Sequence, residues 1–132
     1  MMEISSFQDL KCWKEAVKLR IMLRTVLQLL PSDEKYRLKD QIVRASRSVT
    51  NNIAEGFGRY HYLENVQFCR QSRGSLSELE DHLLIAVEED FISKENFIQL
   101  QVQINTCTAL LNGYINYLNR AKVEAERERG KH

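Results

Sequence analysis

The chain has 132 residues, the length of one domain, with 43% hydrophobic and 28% charged residues and a formal net charge of +1. That balance excludes a disordered chain and a wholesale basic coat for nucleic acid. One proline and five glycines leave too little punctuation for a strand-and-turn protein and point to long helices.

A first helix is predicted over about 9–30, where Cys12, Ala16, Leu19, Leu23, Val26 and Leu30 recur at four-three spacing as one apolar stripe. Pro31 closes it, because proline disfavours helical backbone in the residue before it. Trp13, Val17, Ile21, Met22, Leu27 and Leu29 lie off the stripe, so the helix is apolar on more than one side. Such a surplus calls for a wide core or a second subunit. A second helix is expected over about 33–56, capped by Ser32, with Asp33 and Glu34 in its positive first turn. Its core stripe is Leu38, Ile42, Ala45, Val49 and Ile53, and Gly56 and Gly58 read as its C-terminal cap.

The third helix is predicted over about 61–89, with Val66, Leu76, Leu79, Leu83 and Ala86 turned inward. Gly74 inside it costs about 1 kcal/mol relative to alanine, and a close approach of another backbone would compensate. The fourth, about 94–125, has the cleanest pattern: Phe97, Leu100, Ile104, Cys107, Leu111, Tyr114 and Leu118. Beyond it the stripe fades, and 119–132 is expected to be a charged helical extension or frayed tail of a single domain, 1–132. Short breaks at Pro31, Gly56–Gly58 and Asp90–Ser93 join antiparallel neighbours. The expected fold is all-α, an antiparallel up-down-up-down four-helix bundle.

Cys12, Cys69 and Cys107 are odd in number and form no C-x-x-C pair, which points away from zinc or a disulfide framework. A reducing compartment is the simplest reading. The opening Met1–Ser6 stretch has neither a basic nor an apolar run, so no secretory leader is expected. No apolar run approaches the ~20 residues that span a bilayer. A cytoplasmic location without a membrane partner is the expectation.

The run from Gln41 to Arg59, QIVRASRSVTNNIAEGFGR, resembles the signature of the four-helix bundle family encoded within intervening sequences of bacterial 23S rRNA genes. Phe7-x-Asp9-Leu10-x-x-Trp13-x-x-Ala16 resembles that family's opening, and Leu30-Pro31-x-x-Glu34-x-Tyr36-x-Leu38 its entry to the second helix. Gly74-Ser75-x-x-Glu78-Leu79-Glu80 resembles its third-helix motif. Cys12 and Ser72 depart from it, standing where an aliphatic residue and an alanine are usual. The resemblance implies a small bundle that assembles as a ring, typically a pentamer. It also implies a likeness of fold to the accessory variability proteins of diversity-generating retroelements, which are basic pentameric barrels that bind nucleic acid and a reverse transcriptase. Fold alone does not carry such a function over.

Charge is unevenly distributed: residues 35–73 sum to +5 and residues 74–99 to −6. Arg37, Lys39, Arg44, Arg47, Arg59 and Arg70 are therefore candidate phosphate contacts for RNA or DNA. Tyr60 and Tyr62, beside Arg59, could stack on exposed bases. The plainer reading is that the basic and acidic segments pair with each other, within the bundle or between subunits. Asn52, Glu55, Arg73, Glu78 and Glu80 form a second constellation, either a carboxylate metal cluster or a structural polar network. The di-iron pattern needs two Glu-x-x-His pairs, which are absent, so a structural network of Asn52, Glu55, Arg73 and Glu78 is expected. Gly56-Phe57-Gly58 lacks the Gly-Lys-Ser/Thr of a nucleotide loop, and no histidine stands in a pattern that would activate a serine or cysteine.

The sequence thus leads to a non-enzymatic homo-oligomer, pentameric by resemblance and associated with nucleic acid, without cofactor or metal. The alternative is a protein–protein adaptor or scaffold that binds no nucleic acid.

Overall fold

The computed structural model describes residues 4–130. Four helices carry the fold: α1 (Lys11–Leu29), α2 (Leu38–Gly58), α3 (Tyr62–Glu88) and α4 (Lys94–Gly130). Each packs against its neighbour in the chain, and α4 closes back on α1, while the diagonal pairs do not meet. This is the up-down-up-down bundle that the four apolar stripes predict. Every stripe residue of α1, α2 and α3 named above is buried, and on α4 only Phe97 and Tyr114 remain partly exposed.

Local chemistry sets the ends of the helices. Ser6 and Asp9 form a reciprocal capping box on a short 3-10 turn, Phe7–Asp9, that leads into α1. Pro31 is followed by a second 3-10 turn, Ser32–Glu34, so α2 begins at Leu38 and not at residue 33. Ser32 accordingly does not cap α2; Glu34 does, its Oε2 accepting the Leu38 N–H at 3.2 Å. α3 ends in a Schellman motif in which Asp90 takes the left-handed conformation (φ 60°) and the Phe91 N–H reaches the Ala86 carbonyl at 2.9 Å. Ser93 caps α4, its Oγ accepting from the Asn96 N–H at 3.1 Å. α4 stays helical through Gly130, so the charged stretch from Asn119 continues the helix as far as the described residues go.

Neither the cap expected at Gly56 and Gly58 nor the close approach expected at Gly74 falls where the sequence places it. Gly56 and Gly58 lie inside the last turn of α2, and no glycine has a positive φ. The left-handed residue of the α2–α3 connection is Tyr60, at φ 60°. Nothing lies within 4 Å of a Cβ placed on Gly74, which faces solvent. The close approach falls at Gly56, where a Cβ would stand 2.7 Å from Asn65 Oδ1, 2.9 Å from Phe68 Cβ and 3.1 Å from the Asn65 carbonyl oxygen. Helices α2 and α3 meet through Gly56 and a seam of small residues, and theirs is the most extensive contact in the bundle. Ser72 donates to the Val49 carbonyl at 2.8 Å, and the Ser48 and Ser75 hydroxyls share a hydrogen bond of 2.8 Å.

A polar tie also joins each remaining helix pair. Arg20 donates to Thr50 Oγ1 across α1 and α2 at 2.8 Å. Arg73 donates to Asn112 across α3 and α4 at 2.8 Å, and Gln103 donates to the Glu15 carbonyl across α4 and α1 at 2.9 Å. Every buried side-chain nitrogen and oxygen among the described residues has a hydrogen-bond partner. Because an unpaired buried polar group costs about 1–3 kcal/mol, these ties penalise any slip of one helix along another.

Candidate nucleic-acid interface

The six basic candidates divide into two groups. Arg44 pairs with Asp40 at 3.0 Å, one turn back along α2. Arg59, at the C-cap of α2, is held by Glu55 at 2.8 Å and Glu64 at 3.9 Å, with its guanidinium 5.2 Å from the centre of the Phe68 ring. Arg37, Lys39, Arg47 and Arg70 have no carboxylate partner among the described residues. Arg37, Arg47 and Arg70 are exposed and Lys39 is half-buried. No ion pair among the described residues links the basic segment, 35–73, to the acidic segment, 74–99. Within one chain the two segments do not neutralise each other by contact.

Asn52, Glu55, Arg73 and Glu78 are not brought together. Asn52 turns back along its own helix to the Ser48 carbonyl at 2.9 Å, and Glu55 faces solvent with Arg59. Arg73 reaches Asn112 on α4, and Glu78 pairs with His82 at 3.2 Å on the surface of α3. Glu80 accepts from Gln101 at 3.1 Å. No group of three His, Cys, Asp or Glu side chains among the described residues could hold a metal ion. The polar contacts between α2 and α3 are instead made by serines, Ser72 to the Val49 carbonyl and Ser48 to Ser75.

A groove of about 1150 Å³ opens at the end of the bundle where α2 turns into α3. Ile4, Leu10 and Lys11 form one side, Phe57, Tyr60, Tyr62 and Asn65 another, and residues between Ala109 and Leu118 of α4 the third. Four of the chain's five tyrosines line it: Tyr60, Tyr62, Tyr114 and Tyr117. Tyr114 and Tyr117, one helical turn apart, lie nearly parallel (13°) with ring centres 6.3 Å apart. Asn65 Nδ2 donates to the Tyr114 hydroxyl at 3.0 Å, while Asn65 Oδ1 accepts the Cys69 thiol at 3.5 Å. Burial pushes the Tyr114 phenol up to about 12, so it is a neutral hydroxyl at physiological pH. Burial likewise raises the Cys12 thiol to about 11 and the Cys69 and Cys107 thiols to about 12, which leaves all three as unreactive core residues.

An all-helical bundle with an uninterrupted cycle of antiparallel neighbours defines the class of the molecule. The chain belongs to the family of 23S rRNA-intervening sequence proteins, whose model matches residues 8–113. It is similar in fold to a crystal structure of a protein of unknown function from the S23 ribosomal protein family of Bacteroides thetaiotaomicron. The two align with a TM-score of 0.71 at 16% identity, over 79% of this chain and 97% of the other. No curated protein matches the sequence. No helix among the described residues is long and apolar enough to cross a membrane.

Proposed function

We propose that the protein is a non-enzymatic, self-associating bundle that binds nucleic acid through the outer face of α2 and the first half of α3. The observation that carries the reading is the set of four basic side chains, Arg37, Lys39, Arg47 and Arg70, left without carboxylate partners among the described residues although seven acids follow in the next stretch of chain. Each phosphate neutralised by such a side chain releases condensed counterions, which gives affinity without regard to sequence.

Self-association is supported by α4. From Asn96 to Asn119 it carries no charged residue, and Ile98 and Val102, one turn apart on its outer face, are 54% and 61% exposed. A solvated helix face normally carries charge, whereas the middle of an interface is depleted of it. Ile21 and Leu29 of α1 are also exposed, the remainder of that helix's apolar surplus. Five is the number of subunits that the family resemblance leads us to expect, and a ring would repeat the basic face and add avidity.

The test is a salt series of duplex binding on the assembled protein. Four contacts per protomer predict a log–log slope of about −3.6, and the variant R47E/R70E lowers its magnitude by about 2. Equal affinity of wild type and variant at low salt refutes the reading. Light scattering on Val102→Glu checks the assembly: a smaller species is expected, and an unchanged mass refutes the α4 interface. The adaptor alternative predicts instead that removing 119–132 abolishes capture of a protein partner while oligonucleotide binding is absent throughout.

A further inference from the structure

Four features of the tyrosine groove converge on one kind of ligand. Its walls offer flat aromatic faces: Tyr60 is 87% exposed, Tyr62 is exposed on the same side, and Tyr117 is exposed on the α4 side. Its floor offers one directed donor. Because Asn65 donates to the Tyr114 oxygen and is itself fixed by Cys69, the phenol proton of Tyr114 is left for an acceptor in the groove. Its rim offers positive charge: among the described residues Lys11 has no carboxylate partner, and it stands at the N-terminus of α1, where none of their side chains caps the helix and no acid occupies the first turn. Asp9, the one acid of the lining among the described residues, is already engaged by the Ser5 and Ser6 N–H groups at 3.2 and 3.1 Å.

Tyr60 adds an argument of its own. Its left-handed backbone suits glycine and is sterically costly for tyrosine, yet the large side chain stands there almost fully in solvent. Among the described residues its side chain makes no hydrogen bond and no ring contact. Such strain collects where a side chain has to be presented in a fixed direction.

We infer that this groove seats exposed bases of a single-stranded nucleic acid, stacked on Tyr60, Tyr62 and Tyr117 and reached by the Tyr114 hydroxyl, with Lys11 facing the phosphates. The inference rests on the nucleic-acid reading above and narrows it to strands with unpaired bases. A duplex keeps its bases stacked on one another and cannot offer their faces to tyrosines. At about 1150 Å³ the groove lies above the 300–1,000 Å³ of typical small-molecule sites, which suits a length of chain better than a single metabolite. It also adjoins the C-terminal end of α2, so a strand lying along the basic face of that helix runs into it.

The experiment is fluorescence anisotropy of the full-length assembly with labelled 20-nucleotide single strands, one RNA and one DNA, and with the matching duplex. Y60A/Y62A is expected to weaken single-strand binding by about 5- to 100-fold and to leave duplex binding unchanged. Tyr114→Phe, which keeps the ring and loses the donor, is expected to weaken single-strand binding by about 2- to 10-fold with the same selectivity. R47E/R70E weakens both kinds of binding. Unaltered single-strand binding by the tyrosine variants, while R47E/R70E loses both, overturns the groove assignment and leaves the basic face standing. Wild-type protein that binds neither strand nor duplex overturns both. Circular dichroism melts confirm that each variant is folded; if Y60A/Y62A is not, Tyr114→Phe decides.

Discussion

The sharpest prediction concerns two glycines on adjacent helices that receive the same substitution with opposite results. At Gly74 an added methyl meets nothing within 4 Å, so Gly74→Ala gains only helix propensity, about 1 kcal/mol. For a domain of this size that raises Tm by about 3–5 °C. At Gly56 the same gain is opposed by contacts of 2.9 Å to Phe68 Cβ and 3.1 Å to the Asn65 carbonyl oxygen, atoms that no rotamer change can move. Helix α3 must shift away by several tenths of an ångström, and overpacking of this kind costs about 1–3 kcal/mol. The third contact, 2.7 Å to Asn65 Oδ1, displaces the amide that Cys69 and Tyr114 share and adds about 1 kcal/mol. Gly56→Ala should therefore lose about 1–3 kcal/mol net, measured by urea denaturation beside wild type and Gly74→Ala. A Gly56→Ala protein as stable as wild type refutes the close approach of α2 and α3.

Three further outcomes follow from the same geometry. The thiols of Cys69 and Cys107 titrate near 12 in the fold against 9.0 for a free thiol, and that of Cys12 near 11, so the unfolded chain loses these protons first as pH rises. Stability should be constant below about pH 8 and fall between pH 9 and 12, by about 1.4 kcal/mol per pH unit for each thiol engaged; equal urea midpoints at pH 8 and pH 10 would contradict it. Tyr60→Gly relieves the left-handed strain at the cost of a more flexible unfolded chain, so calorimetry should find stability unchanged or raised by up to about 1 kcal/mol. Glu34→Ala removes the side-chain cap of α2 and should cost about 1 kcal/mol in thermal melts, whereas Ser32→Ala should cost little.

The core was legible because a helix repeats one face to its neighbours every three or four residues, and the stripes of Cys12, Leu38, Val66 and Leu100 onward lie buried as that spacing requires, Tyr114 alone staying partly exposed. Periodicity describes one helix at a time, and the contrast between the two glycines needs two. Gly56 and Gly74 look alike within their own helices; only the position of Asn65 and Phe68 across the interface tells them apart. Asn52 and Glu55, three residues apart, suggest a shared network, yet Asn52 bonds back to Ser48 while Glu55 points outward to Arg59. The cap of α2 was misread because Ser-Asp-Glu after a proline is also the start of a 3-10 turn, and the side chain that caps comes from its last residue, Glu34. The groove is assembled from four separate stretches of chain; the visible hint was that tyrosines cluster at 60–62 and again at 114–117.

The uneven contacts among the four helices bear on how the molecule breathes. The α2–α3 pair is the most closely knit, whereas α1 meets α2 along the least extensive of the helix interfaces. Local opening follows such differences, and weakly held elements detach at lower free energy than the rest. α1 is then the element whose amides exchange with solvent first, while the middle of α2 and α3, around Ser48, Ser72 and Ser75, exchanges last. Because Cys12 rides on α1 and lies against the floor of the groove, its departure would uncover the thiols of the core. The reactivity of those thiols toward a small reagent would then act as a clock for the opening of a single helix.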